Sequence, residues 1–276
     1  MTRTVSVEDR GFTLGDGIFD TALALNGVMF ARRAHLDRLC AAAEAIGIRA
    51  ERPAIETAVD AALLPTPSIL RTTVTRGTGA RGLWPSQAAE STIVVTAAPW
   101  SPALLGQPAR LITATAPRNE RSPTANLKAL GYLDHVLAAR EAAERGADDA
   151  LILNTGGRIA CTTIANVFAL KDGRLVTPPL REGCLPGIVR ALVLKIAPAL
   201  GLEVDEAPLR PAELREADAA FATNSVRFLR RVTTLDGIAL PERADDVVAR
   251  LEAALRARVE TECGADPRAP ARTTAS

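Results

Sequence analysis

The chain has 276 residues, 47% of them hydrophobic and 24% charged, with a formal net charge of +1. That length accommodates one large domain or two modest ones around a sizeable core. A near-neutral balance with 3% aromatic residues gives no electrostatic footprint for nucleic acid and little surface on which bases could stack.

No apolar run reaches the length of a membrane span, and the first residues, Met1 to Ser6, carry no signal-peptide core. The four cysteines (Cys40, Cys161, Cys184, Cys263) are scattered, without a C-x-x-C pair. This spacing predicts reduced thiols in a cytoplasmic protein rather than a disulfide frame or a zinc site. With His35 and His135 the only histidines, neither a histidine-rich metal centre nor a Ser-His-Asp triad is expected.

In chain order, Ile18 to Leu25 reads as a strand, Asn26-Gly27 as a type I′ hairpin turn, and Val28-Met29-Phe30 as the return. Leu36, Leu39, Ala43 and Ile46 repeat at helical spacing up to Gly47. A second helix opens near Pro53 and is stopped by Pro65, and strands are expected at Ile69 to Thr75, Thr92 to Ala97 and Leu111 to Thr115. The polar, proline-containing segment 116–124 is the expected linker between a smaller unit (1–115) and a larger one (125–263). The larger unit begins with a helix from Gly131 to Arg145, capped by Gly146. Strands at Ala150 to Leu153, Asn166 to Leu170 and Arg174 to Val176 follow, then a helix from Gly187 to Gly201. Leu202 to Ala207 and Ala219 to Ala222 read as strands, Arg243 to Glu262 as a last helix, and 264–276 as a disordered tail. The mixture, without a regular βαβ rhythm, is an α+β chain.

Of 33 basic residues only Lys128, Lys171 and Lys195 are lysine. An arginine stays protonated, whereas a lysine amine can be neutralised by burial and can attack a carbonyl. Lys171 lies in a polar turn and Lys195 on a helix with its head in water, so both read as surface residues. Lys128 sits in a mostly apolar stretch before a strong helical pattern. An amine that forms a Schiff base with pyridoxal phosphate needs such low polarity, together with a phosphate cradle. Leu185-Pro186-Gly187-Ile188-Val189-Arg190 opens a helix whose free N–H groups suit an anion, though alone it reads equally as a helix start after a Pro-Gly turn. Ala222-Thr223-Asn224-Ser225 supplies hydroxyls and amides for a second side, or is a turn cap.

Several stretches resemble the class IV aminotransferases, the fold-type-IV pyridoxal phosphate enzymes. They are Asp9-Arg10-Gly11-Phe12-Thr13-Leu14-Gly15-Asp16-Gly17-Ile18-Phe19, His35-Leu36-Asp37-Arg38-Leu39, Lys128 with Tyr132-Leu133, and Gly146-Ala147-Asp148-Asp149-Ala150. Asn166-Val167-Phe168, Thr177-Pro178-Pro179, the Leu185 to Arg190 segment and Thr223-Asn224-Ser225 continue the match in the family's order across residues 8 to 235. The resemblance implies a two-domain α+β fold with pyridoxal 5′-phosphate between the domains, in a homodimer. It assigns Lys128 as the Schiff-base lysine, Arg38 as the phosphate arginine, Ile188 and Val189 as backbone donors, and Ser225 as a hydroxyl donor. Phe19 and Arg81 fall on the substrate side; Arg81 matches a carboxylate-trapping arginine, although Leu83 stands where the D-specific enzymes have histidine. Arg118 and Arg121 are further carboxylate candidates.

One departure stands out. Where the family has a glutamate beside the pyridine nitrogen, five residues before the Asn-Val-Phe strand, this chain has Cys161, with no acidic residue between Asp149 and Asp172. A neutral thiol is a weak donor, so the ring nitrogen is expected to be mostly unprotonated and proton transfer slower; alternatively Cys161 is a small core residue without effect. The resemblance implies a transaminase moving an amino group between an amino acid, branched-chain-like or D-, and a 2-oxo acid. The alternatives are an aminodeoxychorismate lyase that releases pyruvate and forms 4-aminobenzoate, and a non-catalytic protein that keeps the fold.

Overall fold

The computed structural model describes residues 4–84 and 90–268. It opens with a short helix α1 (Arg10–Leu14), then β1 (Gly17–Leu25), β2 (Val28–Met29), α2 (Arg32–Ala45), α3 (Arg52–Asp60), β3 (Ser68–Thr75) and β4 (Thr92–Pro99). These strands form an antiparallel sheet in the order β2-β1-β3-β4. The β1–β2 hairpin turns as its Asn-Gly dipeptide predicts, with φ of 51° at Asn26 and 73° at Gly27.

β1 is buried on both faces except at Thr21, and strand periodicity sorts its side chains. Ile18, Ala22 and Ala24 pack with Leu36, Leu39, Ile55 and Val59 of the two helices. Leu23 and Leu25 point the other way, into a core shared with Phe30, Trp100, Phe168 and Phe221.

The second half contributes β5 (Ala109–Thr113), α4 (Leu133–Glu144), β6 (Asp149–Leu153), β7 (Ile159–Thr162), β8 (Asn166–Lys171) and β9 (Arg174–Thr177). It continues with α5 (Ile188–Ile196), β10 (Glu203–Glu206), α6 (Pro211–Arg215), β11 (Ala219–Asn224), β12 (Phe228–Leu235), β13 (Ile238–Ala239) and α7 (Asp245–Cys263). The large mixed sheet runs β10-β9-β8-β11-β12-β5-β6-β7, with β13 paired to β12. One face, with Phe168, Leu170 and Phe221, packs on Val189 and Val193 of α5 and Leu251 and Leu255 of α7. The opposite face, with Val167, Ala169 and Ala222, packs on Leu209 and Leu214. α4 covers β5 to β7 through Ala138 and Ala142.

Several elements differ from the sequence expectations. β5 begins two residues earlier and belongs to the large sheet, parallel to both β12 and β6, although sequence places residues 109–113 in the first unit. β7 and β12 were not expected. β7 is a four-residue strand rich in small residues, and Arg230 and Arg231 interrupt the apolar pattern of β12. Both arginines reach the sheet margin: Arg230 donates to the Pro108 carbonyl and Arg231 pairs with Asp245. α3 ends at Asp60, five residues before Pro65. At the C-terminus, Arg268 pairs with Glu252 and Asp266 with Arg256, holding 264–268 against α7; the rest of the expected tail, 269–276, lies outside the described residues. No helix among the described residues is long and apolar enough to cross a membrane.

Phe168 and Phe221 face each other across β8 and β11, stacked with centroids 5.0 Å apart, and both are fully buried. Phe221→Ala is expected to lower stability by about 3–5 kcal/mol. Urea denaturation checks this, with the midpoint falling at an unchanged m-value.

Candidate active site

Between the two sheets lies a cavity of about 520 Å³. Its position follows from an edge pairing. The N-terminal half of β1 leaves one edge free of β2, and residues 128–130 fill it. Phe19 N–H donates to the Lys128 carbonyl (2.8 Å), and Leu130 N–H to that of Gly17 (3.0 Å). Phe19 and Thr21, on the face of β1 away from α2, therefore line the cavity together with Lys128.

The Lys128 amine is 3.5 Å from the Tyr132 hydroxyl and 4.4 Å from the centre of the Phe19 ring. Burial, followed by the positive charges of Arg38 and Arg71, pushes its pKa down to about 8, only partly offset by Asp20. Tyr132 sits edge-on to Phe19 and stacks on His135, with centroids 4.2 Å apart. Burial pushes the Tyr132 hydroxyl up to about 12, so it is a neutral donor.

Arg38 reaches the cavity from α2. Asp20, on the helix-facing side of β1, accepts from Arg38 Nε (2.9 Å) and from His35 Nδ1 (2.6 Å). Burial disfavours the Asp20 charge, but His35 and Arg38 outweigh it and hold the carboxyl below its usual range. Arg38 Nη1 donates to the Pro186 carbonyl (3.1 Å), which brings the guanidinium to the start of α5.

That helix has no side-chain cap, so the first N–H groups, those of Ile188 and Val189 among them, have no partner within the helix. Gly187 is required here, because a Cβ on it would lie 2.0 Å from Asn166 Oδ1. Opposite, the β11–β12 turn is set by Asn224 Oδ1, which accepts from Val226 N–H and Arg227 N–H. Thr223 and Ser225 of this turn line the cavity, and the buried Thr223 Oγ1 has no hydrogen-bond partner among the described residues. An uncapped helix start, a guanidinium and a spare buried hydroxyl form a fitting cradle for a phosphate, within one cavity with a depressed amine. These residues fit pyridoxal phosphate.

Of the residues singled out from sequence, Phe19, Arg38, Lys128, Cys161, Ile188, Val189 and Ser225 all line this one cavity, as does Arg118. Arg81 does not. It is exposed in a loop whose Gly82 and Leu83 carbonyls are held by Arg10, which turns the loop toward α1. Arg121 is likewise exposed and outside the cavity wall. Sequence reasoning missed Arg71, His135 and Asp20. Arg71 opens into the cavity with its guanidinium 3.6 Å from the centre of the Phe19 ring and no ion-pair partner among the described residues. Its place opposite Thr21 in the β1–β3 register is the signal that could have found it.

A lysine at about 8 holds roughly 300-fold more neutral amine at pH 7 than an unperturbed one. The rate at which the cofactor-free protein takes up pyridoxal phosphate at Lys128 is therefore expected to rise through pH about 8. Stopped-flow absorbance across pH checks this, and a midpoint near that of ordinary lysine would contradict it.

The amino-transferase class IV family profile matches residues 17–235. A Methanocaldococcus jannaschii protein, provisionally named a branched-chain-amino-acid aminotransferase, is 35% identical over 243 residues, covering 84% of this chain and 83% of its own. The crystal structure of 4-amino-4-deoxychorismate lyase from Pseudomonas aeruginosa superposes with a TM-score of 0.82 at 27% identity, covering 93% and 96% of the two chains. A hypothetical aminotransferase from Mycobacterium tuberculosis, in a PLP-bound form, superposes with a TM-score of 0.81 at 26% identity over 92% and 93%. Fold, cavity and profile agree: the chain belongs to the class IV aminotransferases, a pyridoxal-phosphate-dependent family.

Proposed function

We propose that this protein is a pyridoxal-phosphate-dependent transaminase that moves an amino group between an amino acid, branched-chain-like or D-, and a 2-oxo acid. The observation that carries this reading is the depressed Lys128 amine facing an anion cradle across one cavity. When bound, the cofactor supplies an aldehyde that exchanges for the amino group and a ring that withdraws electrons from the substrate Cα.

The chain's own residues do the rest. Arg38, the N–H groups of Ile188 and Val189, and the hydroxyls of Ser225 and Thr223 hold the phosphate. Lys128 Nζ takes the proton from the substrate Cα and returns it, a role suited to an amine that titrates near the working pH. Phe19 and Tyr132 shield that amine from water, and Arg71, lacking a counter-ion, receives a substrate carboxylate.

Leu133, Val136 and Leu137 form an apolar stripe on α4 and are each more than half exposed; Ile164 of the cavity wall is half exposed. Such a patch supports a homodimer formed across this face. Four unpaired cysteines support a cytoplasmic location.

A second reading, release of pyruvate from aminodeoxychorismate, is favoured by one observation. No acidic side chain lines the cavity among the described residues, which suits a reaction whose aromatic product supplies part of the driving force. Purified protein incubated with L- and D-amino acids and 2-oxo acids is expected to exchange the amine, and to lose the activity in Lys128→Ala. Formation of 4-aminobenzoate and pyruvate without exchange by any pair would select the lyase. Arg71→Met is expected to raise KM by about 10-fold or more, as loss of a charge-assisted carboxylate contact does; steady-state kinetics checks this.

A further inference from the structure

The wall around Cys161 is electrically unlike a pyridinium-binding site, and for more reasons than the thiol. Five cationic side chains line the cavity (Arg38, Arg71, Arg118, Lys128 and Arg227), against no Asp or Glu among the described residues. The nearby carboxylates are engaged elsewhere. Asp20 holds His35 and Arg38. Asp149 accepts from the Thr163 hydroxyl and from Ala150 N–H.

Arg118 exerts the largest influence of any charge on the Cys161 thiol. Its guanidinium donates to the carbonyls of Gly183 (2.7 Å) and Ala125 (2.6 Å) and to His135 Nε2 (2.7 Å). All three acceptors are neutral. With five N–H groups on an arginine, two remain free of these bonds.

His135 is locked as the matching tautomer. Its Nδ1–H donates to the Thr163 carbonyl (2.8 Å), so Nε2 presents a lone pair to Arg118. Burial and the Arg118 charge push its pKa down to about 4, which keeps the ring neutral. Burial pushes the Cys161 thiol up to about 12, and Asp149 and Cys184 act in the same direction, so the sulfur is also neutral. Lys128 and Tyr132 complete the titratable groups on this side.

We propose that this wall keeps the pyridine nitrogen of bound pyridoxal phosphate unprotonated at neutral pH, with Arg118 and His135 as the residues that position that state. The inference rests on the cofactor reading above. A protonated ring nitrogen would set a further positive charge on the wall that carries the Arg118 guanidinium and would find no lining carboxylate among the described residues to accept its hydrogen. An unprotonated one can accept from the Cys161 S–H or a spare Arg118 N–H. Electron withdrawal by the ring is then weaker, which slows amine exchange more than an elimination that ends in an aromatic product.

The test is the nitrogen NMR shift of holoenzyme loaded with cofactor labelled with ¹⁵N in the ring. Wild type is expected to give the pyridine shift from pH 6 to 8, and Cys161→Glu the pyridinium shift together with faster amine exchange. Arg118→Met is expected to move the pH at which the shift changes upward, and Arg118→Lys to restore it. A pyridinium shift in wild type at pH 7 overturns the inference alone. So does a folded, loaded Cys161→Glu that keeps the pyridine shift. Where a variant fails to fold, the wild-type spectrum decides. Absence of any bound-cofactor signal overturns the cofactor reading and this inference together.

Discussion

The backbone pairing of residues 17–19 with 128–130 is the constraint from which the site follows. β1 is paired with β3 from Gly17 to Ala24, so its register is fixed before the Lys128 segment meets its other edge. Two bonds, Phe19 N–H to the Lys128 carbonyl and Leu130 N–H to that of Gly17, then set the depth of the amine. Strand alternation does the rest: Phe19 and Thr21 face the cavity, while Asp20 faces α2 and meets His35 and Arg38. Because β3 holds β1 in place, shifting this pairing by one residue would move the 128–130 segment and turn the Lys128 side chain off the cavity face, away from Phe19.

Charge is distributed unequally across β1. Carboxylates stand behind the cavity walls, where Asp20 orients Arg38 and Glu182 holds Arg158 (2.6 Å) and Asn154. Apart from Arg38, the lining cations Arg71, Arg118, Lys128 and Arg227 have no carboxylate ion-pair partner among the described residues. Leaving such charges partly desolvated disfavours the empty folded state, and an anion that binds there relieves the penalty while stabilising the fold by mass action. An excess of positive charge of this kind matches a phosphate plus one or more carboxylates, the groups that the proposed cofactor and substrates carry.

What the sequence disclosed is local, and what it concealed is long-range. The scarcity of lysine pointed to Lys128, Asn26-Gly27 to the hairpin, and Gly47 and Gly146, each with φ near 70°, to helix ends. Asp20 was invisible because its partners lie 15 and 18 residues away on another element. Arg71 interrupts a buried strand, where the ordinary reading of such a residue is a solvent-facing side chain, and only the pairing with β1 turns that face into a cavity wall. β5 was read into the smaller unit because its two neighbours, β12 and β6, join it in parallel, and parallel partners leave no hairpin signal between them. Arg81 shows the converse: its motif is local, but the bonds from Arg10 to the Gly82 and Leu83 carbonyls set where the loop runs.

The arginine bias acquires a physical meaning at this site. Lys128 is depressed by burial and then by Arg38 and Arg71. Guanidinium groups do not deprotonate in proteins, so the field they impose on the amine is constant across the working pH range. A lysine at position 38 or 71 would itself be open to a burial-lowered pKa and would titrate alongside Lys128, each amine weakening the field on the other as it lost its proton. The two would then share protons in coupled steps instead of leaving a single amine to titrate against fixed charge. A cavity ringed by arginines with one lysine therefore separates the groups that supply field from the group that moves protons, and that separation singles out one nitrogen for chemistry.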